Sequence, residues 1–108
     1  MEVSEEIRQL IDDPEVVGEL TSIFDALRDP TRVYILAALM DGMKSVSQLK
    51  EKAEVSQSAV SHQLRLLRDR GLVKSERDGQ RILYSLADDH ISMLLVVGLT
   101  HAAERKAS

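Results

Sequence analysis

Residues 45–86 read SVSQLKEKAEVSQSAVSHQLRLLRDRGLVKSERDGQRILYSL, and this stretch decides the fold. Ser45 is placed to cap a short helix running through about Ala53 that buries Val46 and Leu49. After Glu54-Val55, Ser56 caps a longer helix to Arg70, with Val60, Leu64 and Leu67 facing inward and Gly71 as its stop. Two helices joined by about three residues make a helix-turn-helix pattern. From Leu72 the period becomes that of strands: Leu72 to Arg77, then Asp78-Gly79, then Gln80 to Leu86. Asp-Gly between β-prone runs is a strong hairpin signal.

Upstream, Asp13-Pro14-Glu15 and Asp29-Pro30-Thr31 each read as an N-cap followed by proline at the first helical position. They open helices near 14–27 and 30–41; in the second, Val33, Ile35, Leu36, Leu39 and Met40 form the apolar stripe and Asp41-Gly42 the end. A short helix near 4–11 is capped by Ser4, with Glu5 and Glu6 at its positive end. Downstream, residues 88–105 form a helix whose middle, Ile91 and Met93 to Val97 with Leu99, is apolar nearly all round. A terminal helix on a small domain cannot hide such a surface alone. The expected architecture is therefore mainly α with a β-hairpin, ordered α-α-α-α-α-β-β-α: one winged helix-turn-helix domain over residues 1–108. It pairs as a homodimer through its N-terminal helices and residues 88–106.

Composition narrows the chemistry. The chain of 108 residues has no cysteine, which removes disulfide scaffolds, thiolate metal clusters and thiol nucleophiles. Its first residues carry no basic, apolar leader, and its longest apolar run, Val33 to Met40, is too short to span a bilayer. A cytoplasmic protein without membrane contact is expected. The net charge of −4 argues against a polyanion as partner, but the charge is unevenly placed. Residues 1–30 carry nine acids against Arg8 and Arg28, whereas residues 44–81 carry nine bases against five acids, a local net of +4. A nucleic acid meets the local charge.

Helix-turn-helix plus basic hairpin is the layout in which the second helix enters the major groove and the hairpin tip reaches phosphates or the minor groove. The exposed positions of that helix, Gln57, Ser58, Ser61, His62 and Arg65, supply short donors and acceptors near its N-terminus and bases one turn later. Arg77, Gln80 and Arg81 flank the hairpin turn. Double-stranded DNA is the expected partner.

The runs Asp29-Pro-Thr-Arg-Val33, Val55-Ser-Gln-Ser-Ala-Val-Ser-His-Gln-Leu-Arg-Leu-Leu67, Gly71-Leu-Val and Gly79-Gln through Tyr84-Ser-Leu86 resemble the ArsR/SmtB family of dimeric winged helix repressors, over roughly residues 16–106. That resemblance implies repression of an operator, relieved by an inducer, and no enzymatic activity.

The inducer is sought among side chains of the last helix, which spells Asp88-x-His90-x10-His101-x2-Glu104. Eleven residues turn a helix through roughly 1100°, so His90 and His101 share a face, yet they stand about 16 Å apart along the axis. Ligands of one zinc ion each lie about 2 Å from it, so one chain cannot hold the ion with both. Two such helices packed antiparallel across a two-fold axis set Asp88 and His90 of one beside His101 and Glu104 of the other. Asp88 and His90 diverge inside a regular helix, which places Asp88 at the cap. The pattern also resembles the metal-sensing subset of the family with its site on the C-terminal helix. Two imidazoles and two carboxylates suit Zn(II), with Co(II) as its mimic; six-coordinate Ni(II) wants ligands that the N-terminus does not offer, and softer ions want thiolates. The free nitrogen of His101 is a candidate donor to a carbonyl near Gly71, a link to the reading helix.

Two other readings compete. Asp88 serves as a plain helix cap and the histidines as interface fillers in a regulator with a non-metal inducer. Alternatively the same ligands serve a hydrolase, which needs an open coordination position and a general base, and four protein ligands with no spare acid or base leave neither.

Overall fold

The computed structural model describes residues 1–108. Six helices and one hairpin follow in the order α1 (Glu5–Leu10), α2 (Pro14–Ala26), α3 (Pro30–Leu39), α4 (Val46–Ala53), α5 (Gln57–Asp69), β1 (Val73–Asp78), β2 (Arg81–Leu86) and α6 (Asp89–Ala107). Every helix starts where a short polar side chain can accept from the free N–H groups of its first turn. Ser4, Asp13, Asp29, Ser45, Ser56 and Asp88 all do so, and Ser45 with Gln48 completes a capping box. Helix α5 ends in a Schellman motif: Gly71, at φ 75°, donates to Arg68 O at 3.0 Å, and Leu72 N–H reaches back to Leu67 O at 2.9 Å.

The core is one contiguous cluster. Ile35, Leu36 and Leu39 of α3 meet Leu49 of α4, Val60, Leu64 and Leu67 of α5, Leu72 and Val73 at the hairpin base, and Ile91 and Leu95 of α6. Met40 departs from the expected α3 stripe: it is the C-cap residue and 39% exposed, because the helix ends there and turns away from the core. The antiparallel hairpin pairs Val73 with Leu86 through Asp78 with Arg81. Its two-residue loop is therefore Gly79-Gln80, one position later than the expected Asp78-Gly79. Gly79 has φ 64° while Gln80 is not among the positive-φ residues, and a two-residue loop with glycine alone at positive φ is a type II′ turn, which demands glycine first. Reciprocal bonds between Lys44 and Tyr84, at 3.0 and 2.8 Å, tie the α3–α4 connection to β2 and hold the wing beside the helix-turn-helix.

Two regions lie outside this core. Helix α1 buries nothing. Beyond Leu95, every residue of α6 is exposed, including Val96, Val97 and Leu99. No helix is long and apolar enough to cross a membrane.

Candidate functional site

Helix α5 presents three flanks. Val60, Leu64 and Leu67 are fully buried. Opposite them, Gln57, Ser58, Ser61, His62 and Arg65 line one open concavity of about 560 Å³ that contains no apolar side chain. The N-terminus of α5 carries no acid in its first turn, so its helix dipole faces outward unopposed, as an approaching phosphate requires. Ser56 Oγ accepts from Ala59 N–H at 3.1 Å and holds the helix start in place.

The wing joins this face. A second cleft, of about 390 Å³, runs from the first turn of α4 past Gln57 and Ser61 to Gln80, Arg81 and Tyr84. It brings helix and wing residues together, and it adds Ser47 and Tyr84, which the sequence did not single out. The only signal for either was proximity to a cap and a strand end. At the wing tip Arg81 lies 3.7 Å from Asp78, with both side chains more than half exposed, an ion pair too solvated to hold the guanidinium back. Arg77 leans over the turn, 3.5 Å from Gly79 O.

The third flank of α5 faces α2. Gln63 accepts from Arg32 at 3.3 Å, and Arg70 donates to Asp25 at 2.6 Å. Arg70's hydrogen bond holds the Asp25 carboxyl below the usual carboxylate range, against desolvation and with help from the charges of Arg70, Arg28 and Arg32.

On α6, Asp88 is the N-cap in extended backbone, φ −163°, and accepts from His90 N–H at 2.9 Å. The cap geometry brings the two side chains together: His90 Nδ1 lies 3.5 Å from Asp88 Oδ1. His101 and Glu104 share a surface depression with Val96, Val97 and Thr100, near the far end of the same helix. Within one chain, no three His, Asp or Glu residues gather closely enough to hold an ion. The carbonyl link from His101 to the neighbourhood of Gly71 is not made within the chain.

A family model described as bacterial regulatory protein, arsR family, matches residues 29–75, from the N-cap of α3 into β1. The chain is 42% identical over 90 residues to the HTH-type transcriptional regulator NmtR of Mycobacterium tuberculosis, covering 83% of this chain and 75% of that protein. It is 42% identical over 95 residues to the transcriptional repressor SmtB homolog of Synechocystis, covering 83% and 70%. The crystal structure of the AntR antimony-specific transcriptional repressor matches with a TM-score of 0.77 at 30% identity, over 88% of this chain and 86% of that one. A winged helix-turn-helix with a polar face on its second helix, 42% identical to transcriptional regulators over most of its length, is itself a transcriptional regulator, and the chain belongs to the arsR family of bacterial regulatory proteins.

Proposed function

We propose that this protein is a dimeric, metal-responsive repressor that binds operator DNA through α5 and the wing and releases it when Zn(II) is held between the C-terminal helices. The observation that carries this reading is the exposed stripe of α6. His90, Met93, Val97, His101 and Glu104 follow one another at helical three- and four-residue spacing, with Met93 61% and Val97 69% exposed. Donors stand at both ends of the stripe and apolar side chains between them. Such a seam is completed by its own copy run antiparallel.

The surface arithmetic supports a partner. The isolated chain exposes 7896 Å², whereas a monomer of this mass is expected to expose about 6,000 Å². The excess, roughly 1,900 Å², is of the size that obligate homodimers cover. The donor set also supports the ion: Asp88 and His90 already lie together, His101 and Glu104 are neighbours at i,i+3, and the chain has no thiolate. The antimony named for AntR belongs to that protein; a soft ion of that kind wants sulfur donors, which this chain lacks.

In this reading Asp88 and His90 of one subunit and His101 and Glu104 of the partner subunit hold the ion, which supplies a rigid cross-link. Cross-linked α6 helices favour one relative orientation of the subunits, in which the two α5 helices no longer match successive major grooves. The coupling is reciprocal, so bound operator weakens zinc binding by the same factor.

Titrating Zn(II) into a complex with fluorescent operator duplex tests this. Anisotropy should fall with wild type and stay high with His90→Ala; zinc-insensitive wild type would overturn the metal reading. The second reading, a non-metal inducer, is favoured by one feature, the all-apolar groove of about 340 Å³ between α1 and α2, lined by Ile7, Leu10, Ile11, Val16, Val17 and Leu20.

A further inference from the structure

Two arginines from different helices converge on the C-terminal end of α2. Arg32, in the first turn of α3, donates from Nε to Ala26 O at 2.7 Å, from Nη2 to Asp25 O at 3.3 Å and from Nη1 to Gln63 Oε1 at 3.3 Å. Arg70, at the C-cap of α5, donates from Nη1 to Ser22 O at 3.1 Å and to Asp25 Oδ2 at 2.6 Å. Arg32 reaches the Asp25 and Ala26 carbonyls, which have no i+4 donor inside α2, at the negative end of its dipole, while Arg70 adds a second donor at Ser22 O one turn earlier. Arg32 is deeply placed, its side chain 11% exposed.

The placement does more than cap α2. Gln63 and Arg70 are seven residues apart, so they lie on one flank of α5, about 10 Å apart along its axis. That flank is neither the buried one nor the reading one. Apolar packing of Val60, Leu64 and Leu67 sets how closely α5 sits on the core, but apolar burial is non-directional. Two directional, charge-assisted attachments on a separate flank constrain the rotation of α5 about its own axis. Base-edge hydrogen bonds depend on that rotation, whereas phosphate contacts only position the protein on the duplex.

We propose that Asp25, Arg32 and Arg70 are positioning residues for DNA reading, fixing the rotation of α5 and thereby its discrimination between specific and unrelated duplex while touching neither. The proposal rests on the assignment of α5 as the reading helix. It opposes the simple electrostatic expectation: Asp25 is a carboxylate 46% exposed, and removing an acid should strengthen binding to a polyanion.

The test uses a duplex enriched by wild type from a random-sequence pool and an unrelated duplex of equal length, both read by anisotropy. Asp25→Ala should weaken binding to the enriched duplex about tenfold, the loss of one well-made base contact, and leave the unrelated duplex unchanged. Arg70→Gln should behave alike, and the exchange Asp25→Arg with Arg70→Asp should recover most of the discrimination. A folded Asp25→Ala variant that binds the enriched duplex as wild type or tighter would overturn the proposal. Equal losses on both duplexes would do the same, since they mark damage to fold or charge. If Asp25→Ala does not fold, the exchange variant decides: restored folding without restored discrimination overturns it. Failure of wild type to enrich any duplex would overturn the reading-helix assignment and the proposal with it.

Discussion

Glu54 sits at the hinge of the helix-turn-helix with φ 55° and ψ 39°, the one non-glycine residue of the chain in the left-handed region. Its Cβ crowds the following carbonyl, a strain of about 1–2 kcal/mol, partly offset because glycine there would have more freedom to lose. Glu54→Gly should therefore stabilise the fold by about 0.5–1 kcal/mol in urea unfolding, with no change in slope. Asp25 gives a pH signature. Its carboxyl is held below the ordinary value by Arg70, so its contribution is fully present above that ordinary value and is lost as pH falls through the lowered one. The difference in urea midpoint between wild type and Asp25→Asn should be constant from pH 7 to about 5 and shrink below about 4. Residue-scale features divide by range. All six N-caps were legible in the sequence because their bonds close within three residues. Arg32 and Arg70 were not, since their partners lie up to 48 positions away and no local pattern distinguishes them from surface charge.

At the scale of elements, the proposed docking gives the wing and α5 separable contributions to DNA binding. Arg81 at the tip is a solvated charge, so Arg81→Ala should weaken all duplexes alike and lower the salt slope by about 1. Ser61 faces both the α5 concavity and the cleft to the wing, so Ser61→Ala should change the ranking of base-substituted duplexes with little change in slope. Anisotropy titrations across salt concentration check both. The elements themselves were readable from periodicity and punctuation. The hairpin loop was displaced by one residue because Asp-Gly fits a type I′ turn, while the cross-strand register from Val73–Leu86 to Asp78–Arg81 requires glycine at the first loop position. The apolar circumference of α6 was equally legible. The expectation that a second copy of the chain covers it was legible too, because a terminal helix on a small domain cannot hide such a surface alone.

The whole molecule is flat and extended, 46 × 36 × 20 Å with a radius of gyration of 15.5 Å, against about 13 Å for a compact chain of this length. The extension comes from α1, which buries nothing, and from α6 beyond Leu95. Five of the nine acids in residues 1–30 lie on α1 and α2, and none lines the polar concavity of α5, which reconciles a negative net charge with a polyanionic partner. The proposed inter-subunit metal site has a consequence that no site within one chain can imitate. His90→Ala and His101→Ala homodimers each lack a ligand at both sites and should lose the zinc response. In a mixed dimer the damaged residues fall together at one site, while the other takes His90 from one protomer and His101 from its mate, both intact. Mixing the two inactive proteins after partial unfolding and refolding should therefore restore one zinc site per mixed dimer, measured as Co(II) absorbance and as zinc-dependent release of DNA. About half of the refolded dimers should be mixed if pairing is random, as a symmetric interface requires. Absence of any restored response, with mixed dimers demonstrated by mass, would place the ligands within a single chain or remove metal from the mechanism.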